Sequence, residues 1–151
     1  MSMTRRAMWS VGAMVAAACL SLPAVGEARD LTPTEKANVA VVKQFSDAWA
    51  TGDADKVTSF LADDVVVRFL QNQEPIKGRT VVNERLKKGM ANSKIEFEIL
   101  ETFAAGSLVS NLRIDYITGK DGKRNPVRVA GVFYLRGGKI IEWIDAVPDN
   151  K

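Results

Sequence analysis

Histidine is absent from this 151-residue chain, and cysteine occurs once, at position 19. Without imidazole there is no Ser-His or Cys-His pair to raise a nucleophile and no histidine-ligated metal centre. Proton transfer therefore falls to Asp, Glu, Lys, Arg or Tyr. Tyrosine is scarce too, with Tyr116 and Tyr134 the only two. A basic stripe for nucleic acid is also missing: the formal charge of +3 includes Arg5 and Arg6, and without them the balance is about +1. What remains, 46% hydrophobic and 26% charged residues, suits one compact domain preceded by a short appendage.

The appendage reads as a secretory leader. Arg5 and Arg6 precede an apolar stretch over residues 7–22, and Pro23-Ala24-Val25-Gly26 follows with small residues at the cleavage positions. The pattern predicts a signal peptide over residues 1–26, with cleavage after Ala28 as the second choice. Thr4-Arg5-Arg6-Ala7-Met8-Trp9 loosely matches a twin-arginine export signal. An uncleaved anchor is the competing reading, weakened by Pro23 and by the many small residues. Lipidation at Cys19 would want leucine where Ala16 stands. With the leader removed, residues 27–151 form one domain without cysteine, periplasmic or secreted, free of a membrane anchor and held together without disulfides.

That domain places helices before strands. Thr32-Pro33-Thr34-Glu35 is a capping box with proline at the first helical position, and Val39, Val42, Phe45 and Trp49 follow at helical spacing until Thr51-Gly52. Asp53 caps a shorter helix expected to run through Val57, Phe60 and Leu61, and Asp63-Asp64 separates it from a first strand over 65–70. A polar loop over 71–78 leads to a third helix over 80–90, with Val81, Val82, Leu86 and Met90 as its inner stripe. From Ile95 the period becomes two, giving strands over 95–100, 108–117, 126–135 and 140–147, joined by turns at 119–122 and 136–139. Helices and an antiparallel meander sharing one core predict an α+β fold. Its mixed, mainly antiparallel sheet curls around the N-terminal helices to form an open cone with a concave interior for a small ligand.

Alternation then gathers the chemistry. Arg113 and Asp115 lie two apart on one strand face, while Tyr116 points the other way. In the last strand Ile141, Trp143, Asp145 and Val147 are expected on one face, so Asp145 follows an apolar stripe and needs a partner or a raised pKa. Arg113 is the candidate partner, in a constellation of one guanidinium between two carboxylates. Arg-x-Asp on a strand is equally compatible with a weak surface ion pair, and an aspartate near a strand end with a turn residue. Phe45, Trp49 and Phe103 read as core or pocket wall, and Lys87-Lys88 as a solvated helix face.

Leu100-Glu101-Thr102-Phe103, Leu112-Arg113-Ile114-Asp115, the run from Ala130 to Ile140 and Trp143-Ile144-Asp145 together resemble the limonene-1,2-epoxide hydrolase family. Phe45-Ser46-Asp47-Ala48-Trp49 and Gly52-Asp53-Ala54-Asp55-Lys56 are similar to it less specifically, and the resemblance spans residues 36–147. It implies a nuclear-transport-factor-2-like cone, often dimeric, that takes a small apolar molecule and uses no metal or organic cofactor. It implies further that Asp145 activates a water, Asp115 protonates the epoxide oxygen and Arg113 bridges them. The sequence departs from the family where a tyrosine and an asparagine usually hold that water. Phe69 replaces the tyrosine, and Gln71, or Asn72 with a register shift, replaces the asparagine. Trp49, Met90 and Trp143 complete the expected substrate wall. Besides epoxide hydrolysis, the pattern admits a ketosteroid-isomerase-like proton shift, a polyketide-cyclase-like closure, or a non-catalytic module that binds an apolar ligand.

Overall fold

The computed structural model describes residues 29–147. The leader expected over residues 1–26, with Cys19 in it, and both expected cleavage sites lie outside the described residues. Among those described, no helix is long and apolar enough to cross a membrane.

Helix α1 spans Pro33–Ala48, started by the expected capping box. The Glu35 amide donates to Thr32 Oγ1 at 3.2 Å, and the Thr32 amide donates to Glu35 Oε2 at 2.8 Å. Glu35 is buried, and its carboxylate also accepts from Arg29 and from the Gly106 amide. The Arg29 guanidinium, followed by those backbone donors, holds the carboxyl well below its ordinary range. This one side chain thus ties the start of α1 to a distant hairpin. A short 3-10 turn, Trp49–Thr51, ends at Gly52, whose φ of 68° is the left-handed conformation that favours glycine.

Helix α2, Ala54–Thr58, is capped by Asp53 as expected but stops before Phe60. Leu61 already belongs to strand β1, Leu61–Arg68, so Asp63 and Asp64 lie within a strand rather than between elements. The ladder explains this, because β1 pairs parallel with β6 through an irregularity between Leu61 and Val66, where the two aspartates stay exposed. A two-residue strand β2, Ile76–Lys77, pairs with β1 inside the segment expected to be only loop. Helix α3, Arg79–Met90, buries Val82 and Leu86; Val81, expected on the same stripe, is exposed at 53%.

Four strands complete the sheet: β3 Ser93–Ala105, β4 Leu108–Gly119, β5 Arg124–Arg136 and β6 Lys139–Ala146. The order is β2-β1-β6-β5-β4-β3, antiparallel except for β1 with β6. This is the mixed, mainly antiparallel α+β cone that the period change predicted. Its concave face closes over α1, where the Phe45 ring meets Trp143 at 5.1 Å, Phe133 at 5.6 Å and Trp49 at 6.2 Å, all edge-on.

Two bulges correct the alternation read from sequence. One extra residue at Leu100 turns the end of β3 over, so Phe103 faces Ser110 across the ladder and is 63% exposed instead of lining the cavity. The other, between Tyr134–Glu142 and Leu135–Ile140, makes Ile141 the extra residue of β6. Ile140, fully buried, therefore joins Trp143 and Asp145 on the inner face in place of Ile141.

Candidate functional site

Strand β4 presents Asn111, Arg113 and Asp115 to the interior at successive inward positions, all buried. Register then brings β6 within reach, since Gly131 of β5 pairs with Asn111 on one side and with Asp145 on the other. A side chain at position 131 would collide with the Arg113 guanidinium and come within 2.8 Å of Asn111 Oδ1. Glycine leaves the slot through which Arg113 crosses from β4 to β6.

The guanidinium is fully enclosed and uses that slot to bind both acids. Nε donates to Asp115 Oδ1 at 2.6 Å, Nη2 to Asp115 Oδ2 at 3.2 Å and to Asp145 Oδ2 at 2.7 Å, and Nη1 to Asn111 Oδ1 at 3.2 Å. Trp143 Nε1 donates to the second oxygen of Asp145 at 2.7 Å. The Phe97 ring lies 4.4 Å from the guanidinium carbon, a cation–π contact.

Burial is the largest influence on both acids. It pushes Asp145 and Asp115 above their ordinary values, against the pull of Arg113 on each. The Trp143 N–H also opposes the rise at Asp145, while the charge of Asp145 adds to the rise at Asp115. For Arg113 burial lowers the pKa, but the two carboxylates outweigh it and the net shift is upward. One permanent cation between two reluctant anions is an arrangement in which one carboxyl can keep a proton while the other stays ionised.

An apolar cavity of about 250 Å³ lies between α3, the end of β1 and the start of β3, and no residue of the network lines it. Trp49, Phe69 and Met90 line it as expected, with Leu86 and Ile95, while Gln73 and Arg85 also contribute to its lining. Trp143 is not in that wall. Its ring stands one layer behind, 5.2 Å from Phe69 and 5.7 Å from Trp49, and its role is to hold Asp145. Phe97 packs on Trp49 at 5.0 Å. The acids thus lie behind the Trp143 and Phe97 rings, with their side chains 9% and 13% exposed for Asp145 and Asp115.

Neither Gln71 nor Asn72 bonds the network. Gln71 is exposed and bonded to the backbone of Val147 in both directions, at 3.3 and 3.1 Å, which fastens the end of β6. Asn72 is exposed in the turn that follows. Three partners of the network went unread in sequence: Asn111, Gly131 and Phe97. Asn111 continues the alternation of Arg113 and Asp115 and was legible there. The slot at Gly131 and the stacking of Phe97 depend on strand register. Among the described residues, no group of three or more Cys, Asp or Glu side chains gathers as a metal site.

A six-stranded cone with a buried acid–arginine–acid network and an apolar cavity defines a class of small α+β domains that enclose small molecules. The chain belongs to the SnoaL-like domain family, whose profile matches residues 42–143. Among solved structures, an LEH-like epoxide hydrolase of M. tuberculosis is 26% identical, with a TM-score of 0.71 over 77% of this chain and 86% of that one. A Xanthomonas campestris protein assigned as a polyketide cyclase is 18% identical, with a TM-score of 0.69 over 76% of this chain and 93% of its own. A Catenulispora acidiphila protein with a ketosteroid isomerase-like fold, in complex with trimethylamine, is 18% identical, with a TM-score of 0.63 over 70% and 82%. The fold is therefore one shared by epoxide hydrolases, polyketide cyclases and ketosteroid-isomerase-like proteins.

Proposed function

We propose that the protein is a cofactor-independent epoxide hydrolase for small apolar epoxides. The observation that carries the reading is the guanidinium of Arg113 joined to Asp115 and Asp145 at hydrogen-bond distance, on the same cone as an LEH-like epoxide hydrolase at 26% identity. Asp145 takes a proton from water as its oxygen attacks a ring carbon. The carbon–oxygen bond of the epoxide breaks, and Asp115 delivers its proton to the departing oxygen. Arg113 stays charged throughout and offsets the extra negative charge in whichever carboxyl is ionised. Each such proton transfer contributes on the order of 10² to 10⁴ in rate. The Phe97 ring, which covers the Arg113 guanidinium, must turn aside for substrate to reach the acids.

The test is diol formation from a panel of small epoxides by the wild type and by Asp145→Asn. The amide is nearly isosteric but is a far weaker base, so diol should form in the wild type alone while the variant stays folded. Diol at an equal rate in both would remove Asp145 from the mechanism. A second reading draws on Phe69, which stands beside Trp143 without a hydroxyl to hold water. Aspartate-dependent proton shift or ring closure needs no such water, and exchange of an acidic C–H proton in deuterated water, with no diol formed, would favour it.

A further inference from the structure

A second cavity, of about 360 Å³, lies between α1 and the inner face of β3 and β4, and it shares no lining residue with the cavity beside α3. Val39 and Val42 of α1 face Phe97 and Ile99 of β3 across it, and Asn111 of β4 completes the wall. Ile99 pairs with Arg113 across the ladder, so its side chain is on the inner face, yet it is 37% exposed. Apolar surface inside the cone is thus left uncovered here.

Asn111 adds a donor to that wall. It is 4% exposed, and its Oδ1 accepts from Arg113 Nη1 at 3.2 Å. A guanidinium only donates, so this bond fixes which end of the amide is oxygen and leaves Nδ2 as the free donor. Among the described residues, the bond to Arg113 is the only hydrogen bond of the Asn111 side chain. The unpartnered polar atoms sealed from solvent are Trp49 Nε1 and Asn83 Oδ1, so Asn111 Nδ2 keeps an open side. That side belongs to the cavity, because the Asn111 side chain lies on the inner face, opposite Thr102 across the ladder. Other polar groups of the wall are engaged: Ser46 Oγ donates to the Val42 carbonyl at 2.8 Å, and Lys43 is paired with Asp47 at 2.6 Å.

We propose that this cavity binds a small neutral molecule whose acceptor oxygen takes the hydrogen bond of Asn111 Nδ2 while its hydrocarbon body covers Val39, Val42 and Ile99. A ketone, ether or ester meets that description. A carboxylate does not, because Lys43 is committed to Asp47 and Arg113 to two acids. Water serves the donor until a ligand oxygen replaces it, whereas a hydrocarbon of the same shape displaces the water and leaves the N–H unpaired. The inference concerns a site apart from the acids and is independent of any reaction there.

The experiment uses the full chain, labelled with nitrogen-15 at asparagine, and two probes. One is camphor, a ketone; the other is 2-methylidenebornane, in which a CH₂ group replaces the oxygen. Camphor should bind the wild type about fivefold more tightly than Asn111→Leu, the worth of one net hydrogen bond, and should move an Asn111 amide proton resonance downfield. The hydrocarbon should bind the wild type no more tightly than the variant and cause no downfield shift. Val39→Trp, which fills the cavity from α1, should abolish camphor binding. Equal loss of affinity for both probes in Asn111→Leu would mean that Asn111 only packs, and would overturn the proposal. So would an unmoved amide resonance, undiminished camphor binding in Val39→Trp, or failure of camphor to bind. If Asn111→Leu does not fold, the wild-type spectra and Val39→Trp decide. Because neither probe is an epoxide, failure here is separable from failure to open epoxides.

Discussion

Replacing Arg113 with methionine keeps an unbranched stem about as far as Nε and removes the charge that Asp115 and Asp145 share. Both acids then lie in a buried site with no cation, which by precedent for broken buried pairs costs about 3–5 kcal/mol near neutral pH. The acids limit the damage by taking up protons. Holding a carboxyl neutral at about pH 7.5 when its ordinary value is 3.8 costs at most about 5 kcal/mol, and at about pH 5 only about 1.6 kcal/mol. Burial already raises both acids, so the folded chain binds more protons than the unfolded one. Stability attached to them is present below 3.8 and is lost as pH rises toward and through the folded value. Removing Arg113 raises them further and steepens that loss. The deficit of Arg113→Met should therefore be about 3–5 kcal/mol at about pH 7.5 and shrink to about 1–2 kcal/mol at about pH 5. A floor independent of pH remains from the lost contact with Phe97, about 0.5–1 kcal/mol. Urea unfolding followed by tryptophan fluorescence measures both values, since Trp49 and Trp143 are buried. An equal deficit at both pH values would mean that the acids do not take up protons when Arg113 is lost, and a deficit under about 1 kcal/mol at the higher one, the size of an exposed pair, would mean that they are not buried with it.

Gly131→Ala puts a methyl group into the slot that Arg113 crosses, and should cost about 1–3 kcal/mol in the same unfolding assay. It should also lower diol formation by at least about tenfold through a misplaced guanidinium; a variant with wild-type stability and rate would show the slot to be slack. Phe69→Tyr restores a hydroxyl beside Trp143 and should raise hydrolysis by about fivefold, the worth of one hydrogen bond to the attacking water. An unchanged or lower rate in steady-state kinetics would mean that water is held elsewhere.

The fold was largely legible because its signals are local. A capping box, a left-handed glycine and a switch from helical to alternating period each act over a few residues, and α1, its stop at Gly52 and the four long strands followed from them. The two misplaced side chains, Phe103 and Ile141, share one cause, which is that a bulge reverses every side chain beyond it. Leu100 sends Phe103 outward and Ile141 hands the inner face to Ile140, and neither insertion leaves a mark in composition or spacing. At the site, the Arg113–Asp115 pair was readable from alternation within one strand. Its link to Asp145 depended on guessing which strands are neighbours, and the structure places β5 between β4 and β6. That intervening strand is why Gly131 could not be recognised: the need for a missing side chain there appears only once Asn111, Gly131 and Asp145 are seen in one row. The bonds of Gln71 to the Val147 backbone were equally hidden, since they too depend on where β6 ends.

If water activated by Asp145 attacks the epoxide without a covalent intermediate, a single turnover in oxygen-18 water, with enzyme in excess over a small epoxide, will show it. Diol should be labelled in that first turnover, with Asp115 and Asp145 free of label when the recovered protein is analysed by mass spectrometry. Unlabelled first-turnover diol with label entering a carboxylate would contradict it and show a covalent ester, and the absence of diol across the epoxide panel would remove the hydrolase reading altogether.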